Sequence, residues 1–291
     1  MKIGFIGLGI MGKPMVKNFL KEQNTVLVND VNKDTEQEMV KEGAQSASIT
    51  EIAQEADYLF LSLPNGAIVK SVLYSGQDAI LNQPQVNIKS VIDTSSLTPN
   101  ESLEISKVLE EKSVSYIDAP VSGGEPLAIT GELSIMVGCN KNDYEDIKKV
   151  CEPIAQSVIR VGEVGSGSVV KLANQIIVNT NIAALSEAVV LAKKFNIDLE
   201  AMYQAIKGGL AGSTVMDAKF PKMIAEDYQP GGTFNINLKD LKNVTSTADT
   251  VGLTLPVANQ IKEIYKSEVA QGNGLNDHSG IIKYFENINN M

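Results

Sequence analysis

The sequence predicts an α/β fold: a doubly wound sheet over residues 1–162, followed by an all-α domain over 163–291. Three observations carry this reading. From residue 2 onward, short apolar runs alternate with stretches of helical periodicity. A glycine-rich turn joins the first apolar run to the first helical stretch. After Gly162 the strand signals stop, and helical periods with short loops take over.

Residues 2–6 (KIGFI) read as a buried strand that runs into Gly7-Leu8-Gly9-Ile10-Met11-Gly12 and then into a helix over 13–22. In this G-x-G-x-x-G pattern Gly7 permits a tight turn, and Gly9 lets backbone N–H groups approach a pyrophosphate. Gly12 lets the helix pack close to the strand, and the helix N-terminus favours the anion. Lying between a strand and a helix, the pattern makes the sheet Rossmann-type and residues 7–12 candidate cofactor contacts. The second strand, 25–29 (TVLVN), ends at Asp30, eighteen residues after Gly12. An acid at that distance bonds the ribose hydroxyls of NAD and repels a 2′-phosphate. NAD(H) is therefore favoured, and the nearby Lys33 leaves NADP(H) possible.

The rhythm continues through helices over 34–42 and 49–56, a strand over 58–64 and a helix over 66–81. A strand over 90–96 follows. Ligands of a doubly wound sheet sit beyond the carboxyl ends of its strands, so Pro64, Asn65, Ser95 and Ser96 are candidates to face the nicotinamide half. A helix over 99–112 leads to the strand SYIDAP (115–120). Strands over 132–138 and 157–162, with a helix over 141–151 between them, complete the domain. After SYIDAP, Ser122-Gly123-Gly124 sets two glycines behind a serine. This is either a plain turn or a cradle of N–H groups for a carboxylate.

The second domain opens on 165–195, a predicted helix of about thirty residues and ~45 Å. Between Glu163 and Glu187 its only charged residue is Lys171. Asn174 and Gln175, three and four positions on, share the lysine's face. A helix apolar almost all round should be buried, and the lysine either snorkels to solvent or works as an acid/base in a cleft. So much apolar surface on one helix also predicts subunit packing, as a homodimer or homotetramer. Helices over 198–208, 214–227, 235–251 and 255–271 follow, punctuated by Pro221, Pro230 and Pro256. The cleft between the two domains is the expected site for a small-molecule substrate.

Bulk properties narrow the classes. A net charge of −10 argues against nucleic acid or an anionic membrane as partner. Cys139 and Cys151 read as buried thiols, and with a single histidine no metal site is expected. The N-terminus lacks a signal-peptide pattern and no eighteen apolar residues run uninterrupted, so a cytoplasmic protein is expected. His278 is expected at the surface or as a cap, Asp240 as a structural partner of Lys239, and Met11, Met15 and Met136 in the core.

Four segments together, GFIGLGIMGKPM, DAPVSGGEP, GSGSVVKLANQ and NINLKDL, resemble the signature segments of the β-hydroxyacid dehydrogenases in order and spacing. The resemblance covers essentially the whole chain. It implies that Ser122, Gly123 and Gly124 hold a substrate carboxylate, that Lys171 is the catalytic acid/base, and that Asn174 positions the substrate. It also implies that Lys239 reaches the cofactor. Many relatives carry two asparagines where this chain has Asn174-Gln175, so direct substrate contact by Gln175 is the less secure implication. Segments 205–221 and 277–286 look most like members that reduce tartronate semialdehyde. Those acting on 3-hydroxyisobutyrate, glyoxylate or succinic semialdehyde are the alternative. A nucleotide-sensing protein without chemistry would be free to lose Lys171 or the Ser-Gly-Gly loop, and this chain has both.

Overall fold

A computed structural model describes residues 1–291. It comprises two compact units, Met1–Lys171 and Leu172–Met291.

In the first unit nine strands form one sheet: β1 (Lys2–Ile6), β2 (Thr25–Asn29), β3 (Gln45–Ser46), β4 (Tyr58–Leu61), β5 (Ser90–Asp93), β6 (Ser115–Asp118), β7 (Val121–Ser122), β8 (Leu133–Gly138) and β9 (Ala155–Gly162). Its first part runs β3-β2-β1-β4-β5-β6, all parallel, so the winding reverses between β1 and β4. That reversal opens the crevice in which such sheets bind ligands. β8 then pairs antiparallel with β6 and β7 and parallel with β9. β4 (YLFL) is buried at every position, as a parallel strand covered on both faces must be. Phe5, Phe19, Phe60 and Met15 fill one face of the sheet. Ile6, Leu59, Leu61 and Ile105 fill the other.

The covering helices are α1 (Gly12–Lys21), α2 (Lys33–Lys41), α3 (Ile49–Glu55), α4 (Gly66–Lys70), α5 (Pro99–Glu110), α6 (Gly124–Thr130) and α7 (Tyr144–Cys151). Local chemistry explains where they start. Thr98 and Glu101 form a reciprocal capping box at α5, with Pro99 in the first turn, where a missing N–H costs nothing. The helix predicted over 66–81 is broken: α4 ends at Lys70, a single π turn covers Ser71–Ser75, and a 3₁₀ turn covers Ile80–Asn82. The Gly76 N–H closes the π turn on the Ser71 carbonyl at 2.9 Å. Strands predicted to 64 and 96 stop at Leu61 and Asp93 because the following residues bond sideways. Leu63 N–H donates to Ser95 Oγ at 2.9 Å, and Thr94 Oγ1 donates to the Leu61 carbonyl at 2.7 Å. Helix α6, in which two left-handed glycines lead straight into a first turn, carried no signal strong enough to predict it.

The second unit is helical. α8 (Ser166–Lys194) begins in the first unit and continues through the second, so the units divide inside a helix, nine residues beyond Gly162. The first turn of α8 is bonded to the sheet, which is why it clusters there. α9 (Leu199–Ile206), α10 (Thr214–Ala225), α11 (Phe234–Thr250), α12 (Pro256–Ala270) and α13 (Ile282–Ile288) follow. Ile182, Val189, Phe220, Phe234, Leu241 and Tyr265 form the core. Pro221 lies inside α10 instead of ending it, between the buried Phe220 and Met223 that hold the helix in place. α8 is not buried all round: Val169, Ile177 and Leu191 are exposed. By length and composition it could cross a membrane, yet its most apolar eighteen-residue window is half buried in protein.

Candidate active site

Three constellations of predicted residues can be located, each within its own unit. The first is the glycine turn between β1 and α1. Gly7 takes a φ of +99°, and a Cβ there would lie 2.3 Å from the Ser62 carbonyl. At Gly12 a Cβ would lie 2.0 Å from the Gly7 carbonyl, whereas at Gly9 it would meet nothing within 4 Å. The turn is thus closed on its protein side and open above Gly9. No side chain caps α1 at Met11; Lys13 N–H donates to the Gly9 carbonyl at 3.1 Å and Pro14 has no N–H, so contact with an anion in the first turn falls to Gly12 N–H. These features fit a dinucleotide pyrophosphate.

Asp30 lies at the rim of this turn. Its carboxylate accepts from Leu8 N–H at 2.6 Å and from Asn32 N–H at 2.8 Å. A residue not foreseen from the sequence stands behind it. Glu36 is buried, accepting from Asp30 N–H at 3.0 Å and from the Lys33 ammonium at 2.7 Å, and Ser46 also donates to it. Burial would raise the Glu36 pKa, but the bonds from Lys33, Ser46 and Asp30 outweigh it and hold the carboxyl below its ordinary value. The Lys33 ammonium is therefore engaged by an acid beside Asp30. Farther along the strand ends, Ser95 Oγ accepts from Leu63 N–H, and Asn65 caps α4 by accepting from Ile68 N–H at 3.0 Å. These two predicted cofactor residues shape the loops after β4 and β5, which also carry Pro64 and Ser96.

The second constellation brings Lys171 to the Ser-Gly-Gly loop. The Lys171 ammonium donates to the Val121 carbonyl at 2.7 Å. Next in the chain, Ser122 pairs with Ser134 at the sheet edge. Gly123 and Gly124 take φ of +134° and +66°, a left-handed pair open to glycine at little cost. A Cβ at Gly123 would press on Leu127 at 2.8 Å. This is not the plain turn that composition alone allows: the loop leaves a strand and enters α6 directly. Beneath it Asp118, also not foreseen, is 2% exposed and accepts from Gly165 N–H at 2.9 Å and Ser168 N–H at 2.7 Å.

The third constellation lies on α8 and α11. Asn174 Nδ2 donates to Gln175 Oε1 at 3.0 Å, and Gln175 Nε2 donates to Asp240 Oδ2 at 2.6 Å and to Asn237 Oδ1 at 3.3 Å. Gln175 is buried, so its amide is spent on protein partners; it fixes the orientation of Asn174. Lys239 pairs with Asp240 at 3.1 Å, as the sequence suggested. His278 departs from expectation. It is buried, not superficial, with Nδ1 at 3.2 Å from Asn179 Oδ1, and burial pushes its pKa down to about 3. A lone histidine in a polar DHS segment gave no sign that Tyr265 and Asn179 would enclose it.

Comparison with known proteins gives these constellations a context. Residues 2–162 match the family model described as the NAD binding domain of 6-phosphogluconate dehydrogenase. Residues 165–285 match the NAD-binding model of NADP-dependent 3-hydroxyisobutyrate dehydrogenase. The chain is 36% identical to 2-(hydroxymethyl)glutarate dehydrogenase of Eubacterium barkeri, across 99% of this chain and 95% of that one. It is 34% identical to 2-hydroxy-3-oxopropionate reductase of Escherichia coli K12, across 98% and 97%. Among solved structures, a 3-hydroxyisobutyrate dehydrogenase from Salmonella typhimurium superposes with a TM-score of 0.86 at 29% identity, covering 98% of this chain and 99% of that one.

Proposed function

We propose, for a chain that belongs to the β-hydroxyacid dehydrogenase family, the reduction of tartronate semialdehyde (2-hydroxy-3-oxopropanoate) to D-glycerate. The observation that carries the reading is the Lys171 ammonium held 2.7 Å from Val121, beside Ser122-Gly123-Gly124. An acid and a carboxylate cradle are adjacent in one unit. Residues 7–12 would hold the nicotinamide cofactor, which when bound would supply a hydride for the aldehyde carbon. Ser122 and the N–H groups of Gly123 and Gly124 bind the substrate carboxylate and so orient the aldehyde. As negative charge grows on the aldehyde oxygen, the Lys171 ammonium stabilises it and gives up its proton, leaving the alcohol. Asn174, its amide held by Gln175, positions the substrate, and Lys239 contacts the cofactor.

NADH is the proposed cofactor. Asp30 at the end of β2 supports this reading, since a carboxylate there disfavours a 2′-phosphate, and Lys33 is already paired with the buried Glu36. A second substrate reading rests on the 36% identity to 2-(hydroxymethyl)glutarate dehydrogenase, whose named substrate is a dicarboxylate. The exposed Val169, Ile177 and Leu191 of α8 support a homodimer or homotetramer, and a monomer by light scattering at micromolar concentration would remove that proposal.

The deciding experiment follows NADH oxidation with tartronate semialdehyde beside methylmalonate semialdehyde, succinic semialdehyde and glyoxylate. The reverse reaction is run with 2-(hydroxymethyl)glutarate and NAD⁺, and all are repeated with the phosphorylated cofactor. A kcat/KM at least about tenfold higher for tartronate semialdehyde corresponds to ~1.4 kcal/mol of transition-state discrimination. Preference for another compound keeps the lysine chemistry and moves the substrate.

A further inference from the structure

We infer that Asp118 is a positioning residue for the reaction: its buried carboxylate ties the end of β6 to the first turn of α8 and thereby fixes the Lys171 ammonium against the Val121–Gly124 loop. The inference rests on Lys171 acting as the proton donor.

The geometry is specific. Asp118 ends β6, three residues before Val121, whose carbonyl receives the Lys171 ammonium. Its two oxygens accept separately, Oδ1 from Gly165 N–H and Oδ2 from Ser168 N–H, and Lys171 follows Ser168 by three residues, on the next turn. One carboxylate therefore grips both segments that meet at the lysine. Space around it is reserved by glycine. A Cβ at Gly138 would lie 2.1 Å from Asp118 Oδ1, and one at Gly167 would lie 2.5 Å from the Asp118 carbonyl and 2.9 Å from Oδ2. Ser168 is held in turn by Ser102, Oγ to Oγ at 2.9 Å. Acidic side chains near a helix N-terminus satisfy its orphan N–H groups, and one supplied from a neighbouring strand also fixes where the helix starts.

Ionisation adds a signature that a merely space-filling residue would lack. Burial raises the Asp118 pKa, the bonds from Ser168 and Gly165 oppose it, and the balance lies at about 7. The ionisable groups facing this region are few. On β6 and β5, Tyr116 donates to Asp93 at 2.8 Å, a phenol held protonated by burial and by both aspartates. On α8 there is Lys171, and on the loop before it Glu163, whose backbone carbonyl would lie 2.9 Å from a Cβ on Gly138. Protonation of Asp118 turns one accepting oxygen toward an N–H as a hydroxyl and weakens the grip on α8. Turnover should therefore fall on the acid side of about pH 7.

The test measures kcat and KM for tartronate semialdehyde and NADH from pH 5.5 to 9, for the natural protein, Asp118→Asn and Lys171→Ala. Expected for Asp118→Asn are a kcat lowered about tenfold at pH 8, a KM for NADH within about twofold, and loss of the acid limb. Asp118→Asn with natural kcat and pH profile, while Lys171→Ala is inactive, overturns this inference and leaves the proposed function standing. Turnover by Lys171→Ala overturns both. NADH fluorescence reports whether Asp118→Asn is folded. If it is not, Ser168→Ala decides: the backbone N–H stays, but the Ser168 hydroxyl, which also bonds Asp118 and lowers its pKa, is lost. The acid limb should move to higher pH, and an unmoved limb overturns the inference.

Discussion

The buried Asp118 and Asp277, one in each unit, have pKa values shifted in opposite directions. Asp118 receives only neutral N–H and hydroxyl donors, so burial wins and its pKa rises to about 7. Asp277, fully buried in the helical unit, accepts from the Lys219 ammonium at 3.0 and 2.8 Å and from Gly232 and Ser279 N–H groups, each at 3.0 Å. Burial raises it too, but His278, Lys219 and the donated bonds overcome that and hold it down to about 2. At Asp118 the neutral donors do not offset desolvation, whereas at Asp277 donors that include an ammonium do. A carboxylate left near neutrality can respond to pH; one clamped by a lysine is a fixed strut.

The sharpest way to break this contrast is to remove the clamp. Lys219→Met leaves Asp277 buried without its cation, and urea unfolding should show a loss of ~3–5 kcal/mol. A loss under about 1 kcal/mol would mean that the N–H donors alone support the charge. Lys171→Ala should do the converse. Its kcat falls by at least about 100-fold, the scale of a lost general acid, while its thermal midpoint stays near that of the natural protein. Equal effects of the two lysines on stability would erase the distinction between strut and catalyst.

Stability as a function of pH separates the aspartates further. Folded Asp118 keeps its proton up to about pH 7, while unfolded aspartate loses it near the ordinary 3.8. Its contribution to stability is therefore largest at acid pH and declines as pH rises from about 4 to about 7. Asp277 runs the other way: its stabilisation is complete above the unfolded value and is lost as pH falls toward about 2. Urea melts at half-unit intervals should show Asp118→Asn with a less negative slope between pH 4.5 and 7, and an unchanged slope would refute the assignment. The smallest effect is expected at Glu36. Glu36→Gln releases Lys33 and removes a negative charge, and the preference for NADH over NADPH should shrink by a few-fold, or roughly 1 kcal/mol. An unaltered ratio would leave cofactor choice to Asp30 alone.

How legible these features were depended on whether a residue advertises its neighbours. The strands β1, β2 and β4 are apolar runs, and burial on both faces leaves little else for such runs to become. Gly7 and Gly12 were legible because the backbone positions they occupy are demanding, and Gly9 because the spacing between them is that of a phosphate-binding turn. Lys171 stood out as one charge in a long apolar stretch. Asp118, Glu36 and Asp277 did not, since an acid at a strand end, on a polar helix or in a polar loop segment reads as an ordinary surface residue. Only tertiary placement shows that each is buried and what it grips. The π turn after α4 was hidden for a related reason, because its apolar spacing is that of a helix and the break depends on where Gly76 closes on Ser71.

The division of the chain within α8 has a consequence for anyone who would cut or recombine it. Sequence periodicity invites a junction after Gly162, and the two family models meet there, at 162 and 165. A sheet fragment ending at that point would lose Gly165 and Ser168, leaving the Asp118 carboxyl without two of its donors. A chimera that borrows a helical unit from a relative would acquire foreign residues at the contacts that define its lysine. A graft made after Lys171, one turn and a half into the helix, keeps the anchor with the strand that it serves.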